Sequence, residues 1–448
     1  MIMEKISRYV FYPLWDIWDK SSKLKVLGEM QKSQWNSLSS IKKSQWNNLK
    51  STLMYAEKFS PYYKNLFEKN NINLDEIKSY KDIEKIPVTT KIDVRNNLNF
   101  FISDEYKIDE LINAKTGGST GVSLNLYFDD LCEQNRNSAA MRSDMWAGWK
   151  TGAKRAALWG NPPTPKTIKE KIRHHCLDRT IFLDTMSLDD RSMSDFVRQW
   201  REEKPKAVFG HAHSIFIFAQ YLNKNKEFDL RPEAIVATSM MLLEHERIVI
   251  EQVFSCRVTN RYGCEEVGLI ASECEQHQGM HLNIEHLYIE FLDDNGKPVP
   301  MGEPGKITLT DFNNKGMPLI RYQVGDIGIA TDRICECGRG LPLMEHLEGR
   351  VADFLLTHSG ALVSGISLIE RTLTNIPGIE QMQLIQKNIN ELIINRVKAL
   401  EYSVETDKRL IEEFTVVFGE EVKYVITDVN SIPQEKSGKY RFSICEIN

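Results

Sequence analysis

The chain has 448 residues, enough for two or three domains with a large buried core. Hydrophobic residues make up 42% and charged residues 27%, as in ordinary globular proteins, which disfavours a mostly disordered, collagen-like or heptad-built chain. The net charge of −5 is too small to attract nucleic acid by bulk charge.

Eight cysteines are scattered through the chain, which favours reduced thiols over a disulfide-stapled scaffold and, with the absence of targeting signals, predicts a cytoplasmic protein. No uncharged apolar stretch reaches the roughly 18 residues of a membrane helix, so we expect no transmembrane segment. Residues 6–18 are rich in aromatic side chains but lack a cleavage site. They predict an amphipathic helix packed on the protein, with an interfacial membrane contact as the alternative.

Apolar residues at intervals of three and four predict one amphipathic helix over 29–58, within a helical start of 1–60. Between about 150 and 290, short apolar runs ending in turns alternate with helical periodicity, which predicts an α/β fold with a mainly parallel sheet. The expected strands are 156–160, 207–210, 234–239 and 258–263.

After residue 286 the pattern changes to the strand-like runs 287–292 and 306–312, which predict antiparallel sheet or a small barrel. Beyond 350 we expect a hairpin around 388–390 and a helix over 405–418. These patterns predict a large multi-sheet N-terminal domain, 1–349, and a small α+β domain, 350–448.

Residues 115–121 read Lys-Thr-Gly-Gly-Ser-Thr-Gly. Glycines that let backbone N–H groups turn inward, together with three hydroxyl groups, are typical of an anion cradle. The segment fits neither a Walker motif nor a dinucleotide fingerprint. Taken alone, it could equally be an ordinary Gly-Ser turn.

Residues 260–268 follow a predicted strand, where α/β sheets place ligand-binding loops. The adjacent carboxylates of Glu265 and Glu266 are candidates to bind Mg²⁺ together with substrate phosphates, and a solvated acidic turn is the alternative. Asp326 could accept two hydrogen bonds from a ribose diol, and Arg350 could reach phosphate oxygens. The alternative is that they are only a turn aspartate and a member of a surface ion pair. The basic turn 435–441 contains Lys439 and could be plain solvated surface.

Taken in order, these four segments resemble the adenylate-forming superfamily, specifically its branch of phenylacetate–coenzyme A ligase-like and capsule-biosynthesis adenylating proteins. The resemblance begins at Ile-Pro-Val-Thr-Thr-Lys, residues 86–91, and extends to Lys439. It implies a large N-terminal domain with a small mobile C-terminal domain. The implied reaction activates a carboxylic acid with ATP and Mg²⁺ as an acyl-adenylate and transfers the acyl group to coenzyme A or an amine.

The resemblance also implies a role for each matching residue. Tyr262 and Gly263 match the adenine-stacking turn, Glu266 the magnesium ligand, Asp326 the aspartate that binds the ribose, and Arg350 the arginine near ribose and phosphate. Lys439 matches the lysine that acts during adenylation, and Thr120 joins Lys439 and Glu266 among the implied catalytic residues. The implied ATP phosphate loop consists of Thr116, Gly117, Gly118, Ser119, Thr120 and Gly121. The chain departs from the pattern at Ser123, Glu265 and Ala352.

Cysteine and histidine residues supply the sulfur and nitrogen ligands that zinc prefers, and members of this branch have similar cysteine and histidine positions. We expect one structural tetrahedral zinc site formed by Cys274, His281, Cys335 and Cys337, with His277 as a substitute nitrogen ligand. Separate reduced cysteines near a loop are the alternative.

His211 and His213 follow a predicted strand near the expected start of the acyl pocket, where they could contact substrate or be structural. A coenzyme A ligase should also have a basic groove for the nucleotide phosphates. Candidates are Lys154, Arg155, Lys166, Lys169, Lys171 and Arg173, unless they form a solvated helix face. An amide-forming ligase in polysaccharide or secondary-metabolite biosynthesis and a nucleotide-binding protein without turnover stay open. A nucleic-acid partner is disfavoured.

Overall fold

A computed structural model describes residues 2–116, 124–160, 162–348, 354–432 and 442–447. The α-helices are α1 (Ile2–Ile6), α2 (Tyr12–Trp18), α3 (Lys23–Ser33), α4 (Leu38–Phe59), α5 (Pro61–Lys69), α6 (Lys91–Asn96), α7 (Leu98–Phe101), α8 (Asp130–Trp146), α9 (Ile168–Arg173), α10 (Asp190–Glu203), α11 (Ala212–Lys224), α12 (Glu244–Phe254), α13 (Gly365–Asn375) and α14 (Val404–Phe418). Single π-helical turns, Ser7–Phe11 and His174–Asp178, connect α1 to α2 and follow α9.

The strands are β1 (Ile112–Lys115), β2 (Asn125–Phe128), β3 (Arg155–Trp159), β4 (Thr180–Asp184), β5 (Ala207–His211), β6 (Ala234–Thr238), β7 (Val258–Cys264), β8 (Gly268–Glu273), β9 (Met280–Leu282), β10 (Leu287–Leu292), β11 (Pro304–Asp311), β12 (Tyr322–Thr331), β13 (Leu343–Glu348), β14 (Phe354–Leu356), β15 (Leu362–Ser364), β16 (Ile379–Asn388), β17 (Glu391–Lys398), β18 (Lys423–Asp428) and β19 (Ser443–Cys445). Short 3₁₀ turns form at Leu74–Glu76, Tyr80–Lys85 and Ile108–Glu110.

The largest sheet has the strand order β10-β11-β12-β13-β9-β8-β7-β6-β5-β3-β4. Its β4-β3-β5-β6-β7 part is parallel, and each pairing from β7 to β10 is antiparallel. The expected α/β fold is therefore confirmed, with the change from parallel to antiparallel pairing at β7. Strand β7 thus belongs to both parts of the sheet.

The C-terminal part of the chain builds a smaller sheet, in the order β18-β17-β16-β19. Strands β16 and β17 form the expected hairpin, and α14 matches the expected helix. Apolar side chains from Leu355 to Phe442 form their own core, which also includes Met186. The domain boundary predicted near Gly349 falls outside the described residues.

Two contacts tie this C-terminal part to earlier segments. Lys115 Nζ donates a hydrogen bond to the Leu373 carbonyl at 2.5 Å. Arg95 Nη2 donates to Glu380 Oε2 at 2.6 Å, and the Glu380 carboxylate raises the pKa of the Arg95 guanidinium. The strand before the glycine-rich segment is therefore in direct contact with α13.

The single helix expected over 29–58 is wrong, because the structure has two helices, α3 and α4, with a turn between them. Ser37 has extended backbone angles, and its hydroxyl accepts a hydrogen bond from the Ser40 N–H, which begins α4. Trp35 and Leu38, which continue the apolar periodicity across this break, are 52% and 38% exposed, so the periodicity there does not follow a buried face. In the part of the chain that the structure describes, no helix is long and apolar enough to cross a membrane.

Candidate active site

The parallel strands β3, β5, β6 and β7 all point in one direction, so their carboxyl ends lie along one edge of the sheet. Side chains that follow such ends typically line ligand sites in α/β proteins. Trp159, His211, Thr238 and Tyr262 lie at or near these four ends. The edge therefore brings together residues that are about 100 positions apart in sequence.

Tyr262 and Asp326 meet across the sheet. The buried Tyr262 hydroxyl donates a hydrogen bond to Asp326 Oδ2 at 2.8 Å, although Asp326 lies on β12, four strands away in the sheet order. The sheet must therefore curl, as the expected small barrel would. Beside Tyr262, a Cβ on Gly263 would lie 2.5 Å from the Gly268 carbonyl oxygen, so the β7–β8 hairpin requires glycine there.

Glu266 is the buried carboxylate of this site, with 3% of its surface exposed. Its Oε1 accepts a hydrogen bond from the Tyr322 hydroxyl at 2.8 Å and lies 3.2 Å from Lys91 Nζ. Burial alone would raise the pKa of Glu266, but Lys91, a backbone N–H and the Tyr322 hydroxyl lower it to about 2. The carboxylate is therefore ionised throughout the physiological range.

Lys91 is the residue that our sequence analysis missed. It is the first residue of α6, whose start is fixed by a capping box between Thr90 and Asp93. A bridge between Thr89 and Tyr322 holds this start against β12, which brings Lys91 to Glu266. The segment at 86–91, where the family resemblance begins, ends in Lys91 and could have drawn attention to it. Nothing in the local sequence identifies Glu266 as the partner of Lys91.

The neighbouring Glu265 has a different partner. Arg136 Nη2 donates to the Glu265 carbonyl at 2.7 Å and lies 3.6 Å from Oε1 of the half-exposed Glu265 side chain. The two adjacent acidic residues thus contact different cations. Only Glu266 lies beside Lys91 and Tyr322, so the structure favours Glu266 over a shared pair as the metal-binding carboxylate.

Thr116 closes the base of the predicted phosphate loop. Its N–H donates to the Leu124 carbonyl, and the Leu124 N–H donates to Thr116 Oγ1, each at 2.9 Å. The two ends of the segment are therefore held side by side. Several predicted residues lie outside the described part of the chain: Gly117, Gly118, Ser119, Thr120, Gly121, Ser123, Arg350, Ala352 and Lys439.

The two candidate substrate histidines have different surroundings. His211 is buried at the end of β5, with its ring 4.2 Å from that of Trp159, and burial lowers its pKa to about 4, so its imidazole is neutral. His213 lies in the first turn of α11 and binds through Nδ1 to the buried Glu246. The Glu246 carboxylate also accepts the Leu243 N–H at 3.1 Å, which ties His213 to the start of α12.

The six basic residues considered for coenzyme A do not form one group. Lys154 pairs with Glu203, and Arg155 donates to Asp144 at 2.6 Å and stacks on Trp149. Both lie at the amino end of β3, opposite the edge that carries Tyr262. Lys166, Lys169, Lys171 and Arg173 lie on or just before α9. The structure therefore places the first two away from the candidate site.

Cys274, His281, Cys335 and Cys337 form a second candidate site. Their ligand atoms all lie within 4.8 Å of one another, with 3.6 Å between the Cys274 and Cys335 sulfurs and 3.2 Å between Cys337 Sγ and His281 Nε2. His281 Nδ1 lies 3.1 Å from the Leu341 carbonyl, which orients Nε2 toward the sulfurs. His277 instead contacts Glu273 at 3.2 Å.

This donor set fits zinc. Three thiols and one imidazole are a common structural zinc set, and a tetrahedron with Zn–S bonds of about 2.3 Å places its sulfurs about 3.8 Å apart. The Cys274–Cys335 separation of 3.6 Å is close to that value and too long for a disulfide. The arrangement favours His281 over His277 as the nitrogen ligand.

Comparisons with known proteins find similar sequences for most of this chain. Residues 355–446 match the family model described as the CapK C-terminal domain. A phenylacetate-coenzyme A ligase of Thermus thermophilus is 23% identical over 338 residues, 74% of this chain and 74% of that protein. A phenylacetate-coenzyme A ligase of Escherichia coli is 22% identical over 316 residues, 68% of this chain and 70% of its own length.

Solved structures show the same architecture over nearly the whole chain. The structure of 2-hydroxyisobutyryl-CoA ligase with 2-HIB-AMP and CoA, in its thioesterification state, has a TM-score of 0.61 at 18% identity and covers 90% of both chains. An open conformation of that protein with the same two ligands has a TM-score of 0.59 at 17% identity, covering 89% of this chain and 90% of its own. At these identities the likeness shows a shared fold.

Proposed function

Because the chain is related to the phenylacetate–coenzyme A ligases and has the fold of the adenylate-forming ligases, we propose that it activates a carboxylic acid with ATP and transfers the acyl group to coenzyme A. The observation that carries this proposal is that the end of β7 and the turn after it meet β12 twice, where Tyr262 donates to Asp326 and where Glu266 accepts from Tyr322. Tyr262, Glu266 and Asp326 come from the two motifs that the family resemblance assigns to nucleotide binding.

The nucleotide would lie against β7 and β12. In this proposal the backbone and ring of Tyr262 with Gly263 receive the adenine, and Asp326 accepts hydrogen bonds from both ribose hydroxyls. The Tyr262 hydroxyl already donates to Asp326 Oδ2, which orients the carboxylate. Arg350 contributes a cation near ribose and phosphate, and the segment from Thr116 to Gly121 holds the phosphates.

The residues also fit Mg²⁺, which proteins usually bind with one or two carboxylates together with substrate phosphates. Glu266 supplies one buried, permanently ionised carboxylate. When bound, Mg²⁺ neutralises phosphate charge. Lys91 contacts the same carboxylate and reduces the cost of keeping an anion at a buried position.

The first step joins the substrate carboxylate to ATP. A carboxylate oxygen attacks the α-phosphorus in line, the bond to the β-phosphate oxygen breaks, and pyrophosphate leaves. The crowded negative charge calls for a precisely placed cation, which we assign to Lys439 with help from Thr120. In the second step the thiolate of coenzyme A attacks the acyl carbon, and AMP leaves with the bonding electrons.

The acyl group would occupy the space at the ends of β3 and β5. His211 stays neutral in its buried position, so it can bind a polar substrate group by hydrogen bonding without introducing a second charge near the carboxylate. His213 is held by Glu246 and supports the start of α12. We therefore assign substrate contact to His211 in preference to His213.

We assign a structural role to zinc at the Cys/His cluster. Four protein ligands leave no open position for a substrate, which is typical of structural zinc sites. Bound zinc would supply a cross-link from Cys274, directly after β8, and His281, on β9, to the turn that carries Cys335 and Cys337. Since these ligands require reduced thiols, we place the protein in the cytoplasm.

The test measures pyrophosphate release with Mg-ATP across aryl, fatty, amino and sugar acids, with Lys439→Ala beside the unchanged protein. Acid-dependent release that falls at least roughly a hundredfold in Lys439→Ala would support the proposal. Lys436→Ala is the matched control because it removes a lysine three residues earlier in the same basic segment, and its release should change little.

The acceptor is tested on the acid that gives the strongest release. Mass spectrometry should find a coenzyme A thioester when coenzyme A is added, whereas an amide formed only with amines would transfer the assignment to an amide-forming ligase. If no acid supports release and Mg-ATP does not bind, the chain is not an ATP-dependent ligase.

A further inference from the structure

The N-terminal helix exposes apolar side chains along its outer face. The helix continues from α1 through a π-helical turn into α2, between residues 2 and 18. The exposed side chains and their exposed fractions are Ile2 at 78%, Tyr9 at 67%, Leu14 at 58%, Ile17 at 75% and Trp18 at 59%. A surface helix normally exposes its polar face, so this orientation requires an explanation.

The inner face of the same helix carries polar contacts. The Ser7 hydroxyl donates to the Cys176 carbonyl at 2.6 Å, Arg8 Nε donates to the Thr151 carbonyl at 2.8 Å, and Glu4 pairs with Arg8 at 2.8 Å. Tyr12 and Trp15 add apolar packing against the body. The contacts of the inner face therefore anchor the helix. The outer apolar side chains, which are mostly exposed, contribute less to its packing.

Helix α9 extends this surface. Lys169 Nζ lies 5.6 Å from the ring centre of Trp18 and 2.7 Å from Asp19, so α9 lies beside the end of α2. Ile168 and Ile172, one helical turn apart, are 77% and 43% exposed. Together with Tyr9, Leu14, Ile17 and Trp18, these two isoleucines form what we call the apolar patch. The patch groups six exposed apolar side chains, whereas the exposed apolar residues common on protein surfaces are scattered singly.

The patch is surrounded by positive charge. Residues 2–25 contain five basic and three acidic residues, and residues 166–173 contain four basic and one acidic residue, although the whole chain carries a net charge of −5. Lys20 and Lys171 are exposed. Glu4, Asp19 and Asp178 each lie near a basic side chain, at 2.8 Å from Arg8, 2.7 Å from Lys169 and 3.6 Å from Arg173. Lys25 lies 4.0 Å from Glu29, so the basic charge that faces solvent beside the apolar side chains comes from residues such as Lys20 and Lys171.

The position of the patch leaves the candidate active site accessible. The N-terminal helix contacts Thr151, Cys176 and Leu177, which come shortly before β3 and β4, and Glu4 lies 3.4 Å from Lys206, directly before β5. These are the amino ends of the parallel strands. Tyr262 and His211 lie at the carboxyl ends, so a partner bound to the patch would not cover them.

We propose that the apolar patch is a peripheral docking surface for a membrane that contains anionic lipid. Exposed aliphatic and aromatic side chains that enter the interfacial region, with lysines that contact anionic headgroups, are the two features that bind amphipathic helices to such surfaces. Trp18 and Tyr9 are side chains of the kind that favour this interface. The positive surroundings favour an anionic bilayer over a second copy of the chain, which would bring like charges together.

Vesicle flotation of the full chain tests the proposal. We expect the protein to float with vesicles of phosphatidylcholine and phosphatidylglycerol, to float much less with phosphatidylcholine alone, and to be released by high salt. Ile17→Ser with Trp18→Ser should lower the bound fraction at least roughly tenfold, and Lys20→Gln with Lys171→Gln should lower it by a smaller factor. Val404→Ser with Val416→Ser, which removes two side chains 84% exposed elsewhere, should bind as the unchanged protein does.

Thermal unfolding of each variant shows whether it is folded, and sedimentation without lipid gives its oligomeric state. Failure to float with anionic vesicles would overturn the proposal, as would equal binding by the Ile17→Ser/Trp18→Ser variant. A dimer that this variant dissociates, with no vesicle binding, would identify a second copy as the occupant and also overturn it.

Discussion

The Cys/His cluster and the nucleotide site are assembled in different ways. The cluster draws four ligands from two short segments, 274–281 and 335–337, and the structure brings all four within 4.8 Å. The proposed nucleotide site draws Lys91, Thr116, Tyr262, Glu266 and Asp326 from four separate segments, and its other predicted members, including Lys439, fall outside the described residues.

This difference suits the cluster to a structural role and the proposed nucleotide site to a catalytic one. The cluster is closed, because its donor atoms face one another and leave no position for substrate. The proposed nucleotide site instead has a buried half centred on Glu266 and Tyr322, and our proposal assigns its remaining members to residues that include Lys439. We therefore expect changes in the cluster to lower stability and changes in the nucleotide site to lower activity, with Lys91 contributing to both.

Loss of the cluster should have the largest effect on stability. We expect Cys335→Ser to abolish zinc binding and to lower the free energy of unfolding by on the order of 5 kcal/mol, because metal affinity adds directly to folding stability. Elemental analysis and denaturant unfolding measure the two quantities. Cys256→Ser, which changes a cysteine outside the cluster, should retain metal and stability; equal metal content in both variants would contradict the zinc assignment.

Lys91→Met should be the next largest change, since it leaves the buried Glu266 carboxylate without its cation. Breaking a buried ion pair costs roughly 3 to 5 kcal/mol. Lys85→Met is the matched control: Lys85 forms an exposed pair with Asp82 at 3.4 Å, so its loss should change the free energy of unfolding little.

The pH dependence of Lys91→Met tests the cause of that loss. In the unchanged protein the pKa of Glu266 is about 2, below its ordinary 4.5, so this group stabilises the fold above pH 4.5 and loses that contribution as the pH falls toward 2. Without Lys91, burial should raise the pKa of Glu266. As the pH falls, Glu266 should then become protonated, and the loss of unfolding free energy caused by Lys91→Met should become smaller. Denaturant unfolding that gives the same cost at alkaline and acidic pH would contradict the ion-pair account.

Glu266→Gln should lower activity as well as stability, because it also leaves Lys91 without its anionic partner. It keeps the shape of the side chain but removes the anionic ligand, so we expect kcat/KM for pyrophosphate release to fall roughly a hundredfold, about 2.7 kcal/mol. Raised Mg²⁺ should restore part of the loss. Glu265→Gln is the matched control, and a similar loss in both variants would show that the carboxylate beside Arg136 is equally required.

The sequence predicted much of this arrangement because local patterns specify strands and turns. The apolar runs at 207–210 and 258–263 correspond to β5 and β7, and the run 287–292 corresponds to β10. The helix predicted over 29–58 was wrong because a single N-cap, Ser37, interrupts a periodicity that otherwise continues. Lys91 was missed because its partner is 175 positions away and only the fold brings them together.

The members of the Cys/His cluster were easier to predict because metal-binding residue types are rare and informative. Spacing alone left His277 and His281 as alternatives. The structure separates them through the Leu341 carbonyl, which orients His281, and through Glu273, which contacts His277. Such a distinction depends on hydrogen-bond partners distant in sequence.

Tyr262→Phe should give the smallest effect, confined to nucleotide affinity. It keeps the aromatic ring beside Gly263 but removes the hydroxyl that donates to Asp326 Oδ2 at 2.8 Å. A hydrogen bond to a charged group contributes roughly 1.5 to 3 kcal/mol, part of which water can replace here because Asp326 is only half-buried. We expect the KM for ATP to rise roughly three- to tenfold with kcat nearly unchanged. If kcat falls instead while KM is constant, the hydroxyl acts in the chemical step, and Asp326 is not the residue through which it works.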